Sequence, residues 1–150
     1  MNAVPTAAVT PVASTPSGSR ALGIGLLRAL LLGEAALGIV LAIGLSMLAT
    51  GLNDFLGGEA GRAAEQNLRF AAGFAILFTI LAALASRGAR RRKAWSWTLS
   101  ALLQLILAVG TGIAILTAAW HPAYLLGFAL AAVVMLVLSA PSVRRALGQE

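Results

Sequence analysis

The sequence predicts an all-α protein, a four-helix transmembrane bundle with both termini cytoplasmic, and three observations carry that prediction. The chain is 59% hydrophobic and only 11% charged, against about 25% charged in ordinary soluble domains. Its apolar residues gather in long runs of Leu, Ala, Ile and Gly, the pattern of membrane-spanning helices. Five cations crowd the seven residues Arg87-Gly88-Ala89-Arg90-Arg91-Arg92-Lys93, between two long apolar halves. Desolvating each cation in a bilayer core costs several kcal/mol, so this run lies in water or among headgroups. The apolar stretches on either side must each turn back into the membrane. Short loops rich in Lys and Arg stay in the cytoplasm, so the same run sets the orientation.

The remaining cations agree with that orientation. Arg20, Arg28, Arg144 and Arg145 fall on the side of the basic run, while only Arg62 and Arg69 fall on the other. The formal net charge of +6 is therefore no nucleic-acid signature. Its natural partner is the anionic headgroup layer of a plasma membrane, with Arg87, Arg90, Arg91, Arg92 and Lys93 as the contact residues.

Residues 1–19 hold no charged side chain and are mainly Ala, Pro, Thr, Ser and Val, a composition that cannot build a packed core and reads as a disordered tail. A membrane domain is expected over residues 20–140, with spans at about 29–49, 68–86, 95–119 and 123–138. The run from Ala29 to Ala49 has about the 20 residues that cross ~30 Å of hydrocarbon, so it reads as a retained anchor and not a cleaved signal. Stepping by four from Glu34 gives Gly38, Ala42 and Ser46, a small or polar stripe of the kind that lets membrane helices approach closely.

Residues 50–66 read as an outer loop. Gly51, Gly57, Gly58 and Gly61 are expected to break any continuous helix. Ala60 to Gln66 could run helically into the second span, with Glu65 and Arg69 spaced for a local ion pair. Asp54, Glu59 and Glu65 are read as solvated and not as metal ligands. The second span has Ala71, Ala75, Thr79 and Ala83 on its four-step stripe, and the third has Ser100, Gln104, Ala108 and Gly112. Trp95 and Trp97 open the third span at headgroup level, and Trp120 with Tyr124 forms the matching outer belt. Ser139-Ala140-Pro141 closes the fourth span, leaving residues 141–150 as a short basic amphipathic tail.

Glu34 is the only carboxylate inside an apolar run, about 9 Å deep at 1.5 Å per residue. Gln104 lies at a similar depth in a span running the same way, so a Glu34–Gln104 hydrogen bond would satisfy both groups. That structural reading, or a reach from Glu34 to Arg28, is preferred. The alternative is a proton- or cation-coupled site, since acids within the bilayer often mark such pathways.

The absence of Cys excludes thiolate zinc sites, iron–sulfur clusters and disulfides. His121 stands alone and reads as a turn residue. No Ser–His–Asp set, phosphate-cradling glycine loop or His–Glu metal motif is present. The expectation is a protein with no enzymatic chemistry, no cofactor and no metal.

The segments LLLGEAALGIVLAIGL, RRKAWSWTLSALLQLILAVGTG and VMLVLSAPSVRRALG resemble a set of small four-span membrane proteins common in actinobacteria. Glu34 matches an acid early in the first span, Gln104-Leu105 a Gln-Leu pair, and Val143 to Gly148 the ending. NLRFAAGF is similar to other small four-span families of unknown function. The resemblance implies a bacterial four-span membrane protein and carries no activity. The span count and the early acid also invite comparison with small multidrug-resistance transporters, whose short loops differ from the expected outer loop, tail and polybasic run here. The expected function is that of a helix-packing structural or accessory protein, self-associating or joined to a larger membrane complex. A small transporter centred on Glu34 is the alternative.

Overall fold

The computed structural model describes residues 17–117 and 122–149. The expected tail as far as residue 16, the end of the third span at 118–119, and Trp120 and His121 lie outside the described residues. Those described form helices alone: α1 (Ser17–Leu56), α2 (Gly58–Arg90), α3 (Ala94–Thr117), α4 (Pro122–Ser139) and α5 (Pro141–Ala146). Three are long and apolar enough to cross a membrane, over Leu22–Leu56, Gly58–Arg90 and Ala94–Thr117, and a fourth apolar helix is shorter, over Tyr124–Ser139.

The expected outer loop is the main correction. α1 and α2 both run through it, and the chain reverses between them at Gly57. Gly57 and Gly58 have φ of 62° and 59°, left-handed values that glycine adopts without a Cβ penalty. Gly51 and Gly61 stay inside helices. A glycine in a helix costs about 1 kcal/mol relative to Ala, and here tertiary packing outweighs it. Gly61 is buried against Asn53, whose backbone oxygen would sit 3.1 Å from a Cβ at that position. The helix also starts earlier than the tail reading allowed, taking in Ser17 to Ser19.

α1 and α2 pack along a seam of small residues. Gly38, Ala42 and Ala49 of α1 and Ala72, Ala75 and Ala82 of α2 are buried. At Gly38 a Cβ would collide with Thr79 Oγ1, so this crossing requires glycine. Thr79 Oγ1 in turn donates to Ala35 O at 3.4 Å, a hydrogen bond that close backbone approach makes possible. The buried positions 75, 82 and 89 of α2 repeat every seven residues, with 85 three after 82 and four before 89, as in left-handed coiled packing. The strict four-step stripe overshoots by about 40° per step on a helix of 3.6 residues per turn. That is why Ala71, Ala83 and Ser46, expected on the small faces, are exposed.

The turn from α2 to α3 is made by the cations themselves. Lys93 N–H donates to Gly88 O at 3.1 Å and Arg92 N–H to Ala89 O at 3.0 Å, with Arg92 at φ 51°. This is the Schellman arrangement that satisfies the last carbonyls of a helix. Arg87 and Arg90 in the final turn of α2 also complement the negative end of its dipole.

Each long helix packs on the next, and α4 returns to α1, with α5 folded beneath α1 and α4. The larger core lies at the arginine end. Leu27 and Leu31 of α1 meet Ala85, Ala89, Val134 and Leu138 there, with Val143 and Leu147 closing it from below. Trp97 packs against this cluster, and its indole N–H donates to Leu138 O at 3.1 Å. Sequence reasoning placed Trp97 at the headgroup layer. There its ring pins the start of α3 to the end of α4. Trp95 is half exposed and lies against Gly88, where a Cβ would come within 2.8 Å of the ring.

Candidate functional site

A buried polar pair joins helices that face each other across the middle of the molecule. α1 and α3 lie opposite one another and not side by side, yet Gln104 Nε2 donates to Glu34 Oε1 at 3.0 Å and Oε2 at 2.8 Å. Glu34 is 3% exposed and Gln104 fully buried. Directly beside the pair, Ala35, Ala82 and Leu103 form a second small core, flanked by Phe78, Leu81 and Leu99. The pair therefore sits in apolar surroundings, where each unsatisfied polar atom costs free energy. Glu34 is held by Gln104 and not by Arg28.

The pairing leaves groups over. Gln104 Oε1, Ser100 Oγ one turn away on α3, and Arg28 Nε are buried without a partner. As a carboxylate, Glu34 can only accept, so both of its bonds come from the one amide nitrogen. A protonated Glu34 could donate its O–H to Gln104 Oε1 once the amide turns over, giving a two-bond acid–amide ring. The site can thus hold a proton in one of two bonding patterns, with Ser100 as an adjacent hydroxyl. Several hydroxyls elsewhere on the helices satisfy themselves locally: Ser46 donates to Ala42 O, Thr111 to Leu107 O and Ser139 to Met135 O, each four residues back.

The five cations of the basic run are exposed, with Arg87 and Arg90 on the last turn of α2 and Arg91, Arg92 and Lys93 in the turn. None forms an ion pair among the described residues, where the ion pair formed is Glu65–Arg69. Sequence reasoning set Arg28 on the same side as the basic run but did not join the two. Arg28 shares a recess between α1 and α2 with Arg87, Arg90 and Arg91. Asp54, Glu59 and Glu65 do not converge, and no three His, Cys, Asp or Glu side chains among the described residues could hold a metal ion.

No family model matches the chain, and neither a curated protein nor a solved structure aligns with it.

Proposed function

We propose that the chain is a four-span plasma-membrane protein with both termini cytoplasmic, which works by helix packing, with itself or within a larger membrane complex, and not by catalysis. The orientation rests on the uneven placing of its cations. The outside of the helices supports the bilayer reading: Leu22, Val40, Met47, Phe74, Leu126 and Leu136 are all at least half exposed, an apolar surface that suits lipid and not water. Because there is no native Cys, single cysteines report topology cleanly. Intact cells treated with an impermeant thiol reagent should label Asp54→Cys and spare Lys93→Cys, and the reverse pattern would invert the protein.

The observation that carries the packing reading is a second small-residue stripe, on the outer face of α1. Gly25, Ala29, Gly33, Ala36 and Gly44 are exposed. A Cβ at Gly25, Gly33 or Gly44 would meet nothing within 4 Å. The 25-29-33 spacing is the small-xxx-small pattern by which membrane helices dimerise. The double variant Gly25→Ile/Gly33→Ile should therefore fold normally but lose its partner. Mass determination in gentle detergent should show the wild type above monomer mass and the variant at it. A wild type that is monomeric and carries no other protein would sink this reading.

A second reading, a small proton- or cation-coupled transporter using Glu34, draws on the partnerless Gln104 Oε1 and Ser100 Oγ beside the acid. It requires proton flux in proteoliposomes that Glu34→Gln abolishes. Absence of flux from the wild type removes it.

A further inference from the structure

Two recesses lie end to end along one side of the α1–α2 pair. The first, of about 370 Å³, is polar, with Arg28 of α1 facing Arg87, Arg90 and Arg91 of α2 over the buried Ser86. The second, of about 400 Å³, is apolar and lined mainly by Ile39, Ile43, Ile76 and Ile80. Both belong to the same helix faces. Positions 28, 32, 39 and 43 form one stripe on α1, and 76, 80, 83 and 87 one stripe on α2. From Arg28 to Ile39 is about 16 Å of helix rise, close to the ~15 Å that one leaflet contributes to a ~30 Å hydrocarbon core.

The four guanidinium groups have no ion-pair partner among the described residues. Of the acids, Glu34 is bonded to Gln104, and Asp54, Glu59 and Glu65 lie at or near the Gly57 reversal, remote in chain position from this end of the hairpin. Glu150 is outside the described residues. None of the four arginines forms an ion pair among the described residues, and Arg28 Nε is buried without a bond. A planar guanidinium matches phosphate in two-point geometry. A polar end that lacks an anion, continued by an apolar groove one leaflet deep, matches a lipid better than a free ion.

We propose that this seam holds one anionic phospholipid, its phosphodiester among Arg28, Arg87, Arg90 and Arg91 and one acyl chain in the groove beside Ile39 and Ile43. This goes beyond general attraction of the basic run to headgroups, because it includes Arg28 and leaves out Arg92 and Lys93. It rests on the bilayer reading, which alkaline extraction of membranes checks separately.

The test uses the full chain in detergent, titrated with dioleoyl phosphatidylglycerol or dioleoyl phosphatidylcholine and read by native mass spectrometry. Wild type should take up one phosphatidylglycerol before any further lipid and prefer it over phosphatidylcholine. Arg28→Gln should weaken that first binding about tenfold or more, the loss expected for a charge-assisted bond. Arg28→Lys should fall between, and Arg92→Gln/Lys93→Gln should change it less than about twofold, as expected for screened, exposed charges. Ile43→Trp, at an exposed position, should fill the groove and reduce binding of the dioleoyl lipid more than of its dihexanoyl counterpart. Equal losses from Arg28→Gln and from the Arg92/Lys93 pair would mean diffuse attraction and overturn the site. Displacement of the lipid by millimolar inorganic phosphate would make it a soluble-anion site and overturn it too. Extraction at alkaline pH would instead remove the bilayer reading on which it stands.

Discussion

The two hairpins of this protein are held together by different means. In α1–α2 the chain reverses at Gly57 and the helices pack on glycine and alanine over most of their length, so that one threonine hydroxyl reaches the opposite backbone. In α3–α4 the buried residues are fewer and cluster near the arginine end: Ser96, Ser100, Leu103 and Gln104 on α3, and Ala131, Val134 and Leu138 on α4. Nearer the other end, Gly127 lies against Thr111, where a Cβ would come within 2.9 Å. In lipid there is little hydrophobic drive between helices, so close backbone contact and hydrogen bonds must do the joining. The first hairpin relies on the former. The second is tied at its base by Trp97, which bonds to Leu138 O of α4, while Gln104 ties its middle to Glu34 of the first hairpin.

If that contrast holds, damage to the first hairpin should be the larger. Gly38→Leu places a branched side chain where not even a Cβ fits, and should lower stability by about 3 kcal/mol, the upper range for overpacking. Thermal unfolding in detergent measures it. A loss below about 1 kcal/mol would mean that α1 and α2 can separate without consequence. Next comes the crosswise pair. Glu34→Leu should cost about 2 kcal/mol, because Gln104 loses its partner while still buried. Glu34→Gln keeps the shape and should cost under about 1 kcal/mol, in line with membrane hydrogen bonds. A double-mutant cycle with Gln104→Leu separates the pair's coupling from general packing. The smallest effect is expected at Trp97→Phe, which removes the bond to Leu138 O but keeps the ring, at about 0.5–1 kcal/mol. A larger loss would show that the second hairpin depends on this single tie.

Much of this contrast could be read from the chain, and the rest could not for identifiable reasons. The four apolar segments, the stop at Ser139-Ala140-Pro141 and the Glu65–Arg69 ion pair follow from local composition and spacing. The juxtaposition of Glu34 and Gln104 follows from matched depth in two spans running the same way. The helical course through residues 50–56 does not, because a glycine's breaking tendency is local and its use as a contact point, as at Gly61, is tertiary. Nor does the inward turn of Trp97, whose partner is a carbonyl 41 positions later in the chain. Arg28 joins the basic run only once α1 and α2 are laid antiparallel.

The short cationic turn between α2 and α3 has a consequence for height. With only residues 91–93 between them, α2 and α3 set out from one level and can be compared as rulers. At 1.5 Å per residue, α3 reaches about 36 Å from that level and α2 about 50 Å. Arg69, the nearer member of the Glu65–Arg69 pair, stands about 31 Å up α2, close to one hydrocarbon thickness of ~30 Å. The molecule thus carries two charged bands a bilayer core apart. Beyond the described end of α3 at Thr117, the α1–α2 pair continues for roughly 14 Å to the reversal at Gly57. In the proposed bilayer placement, Phe55, 86% exposed, lies beyond the second charged band, beside the reversal at Gly57.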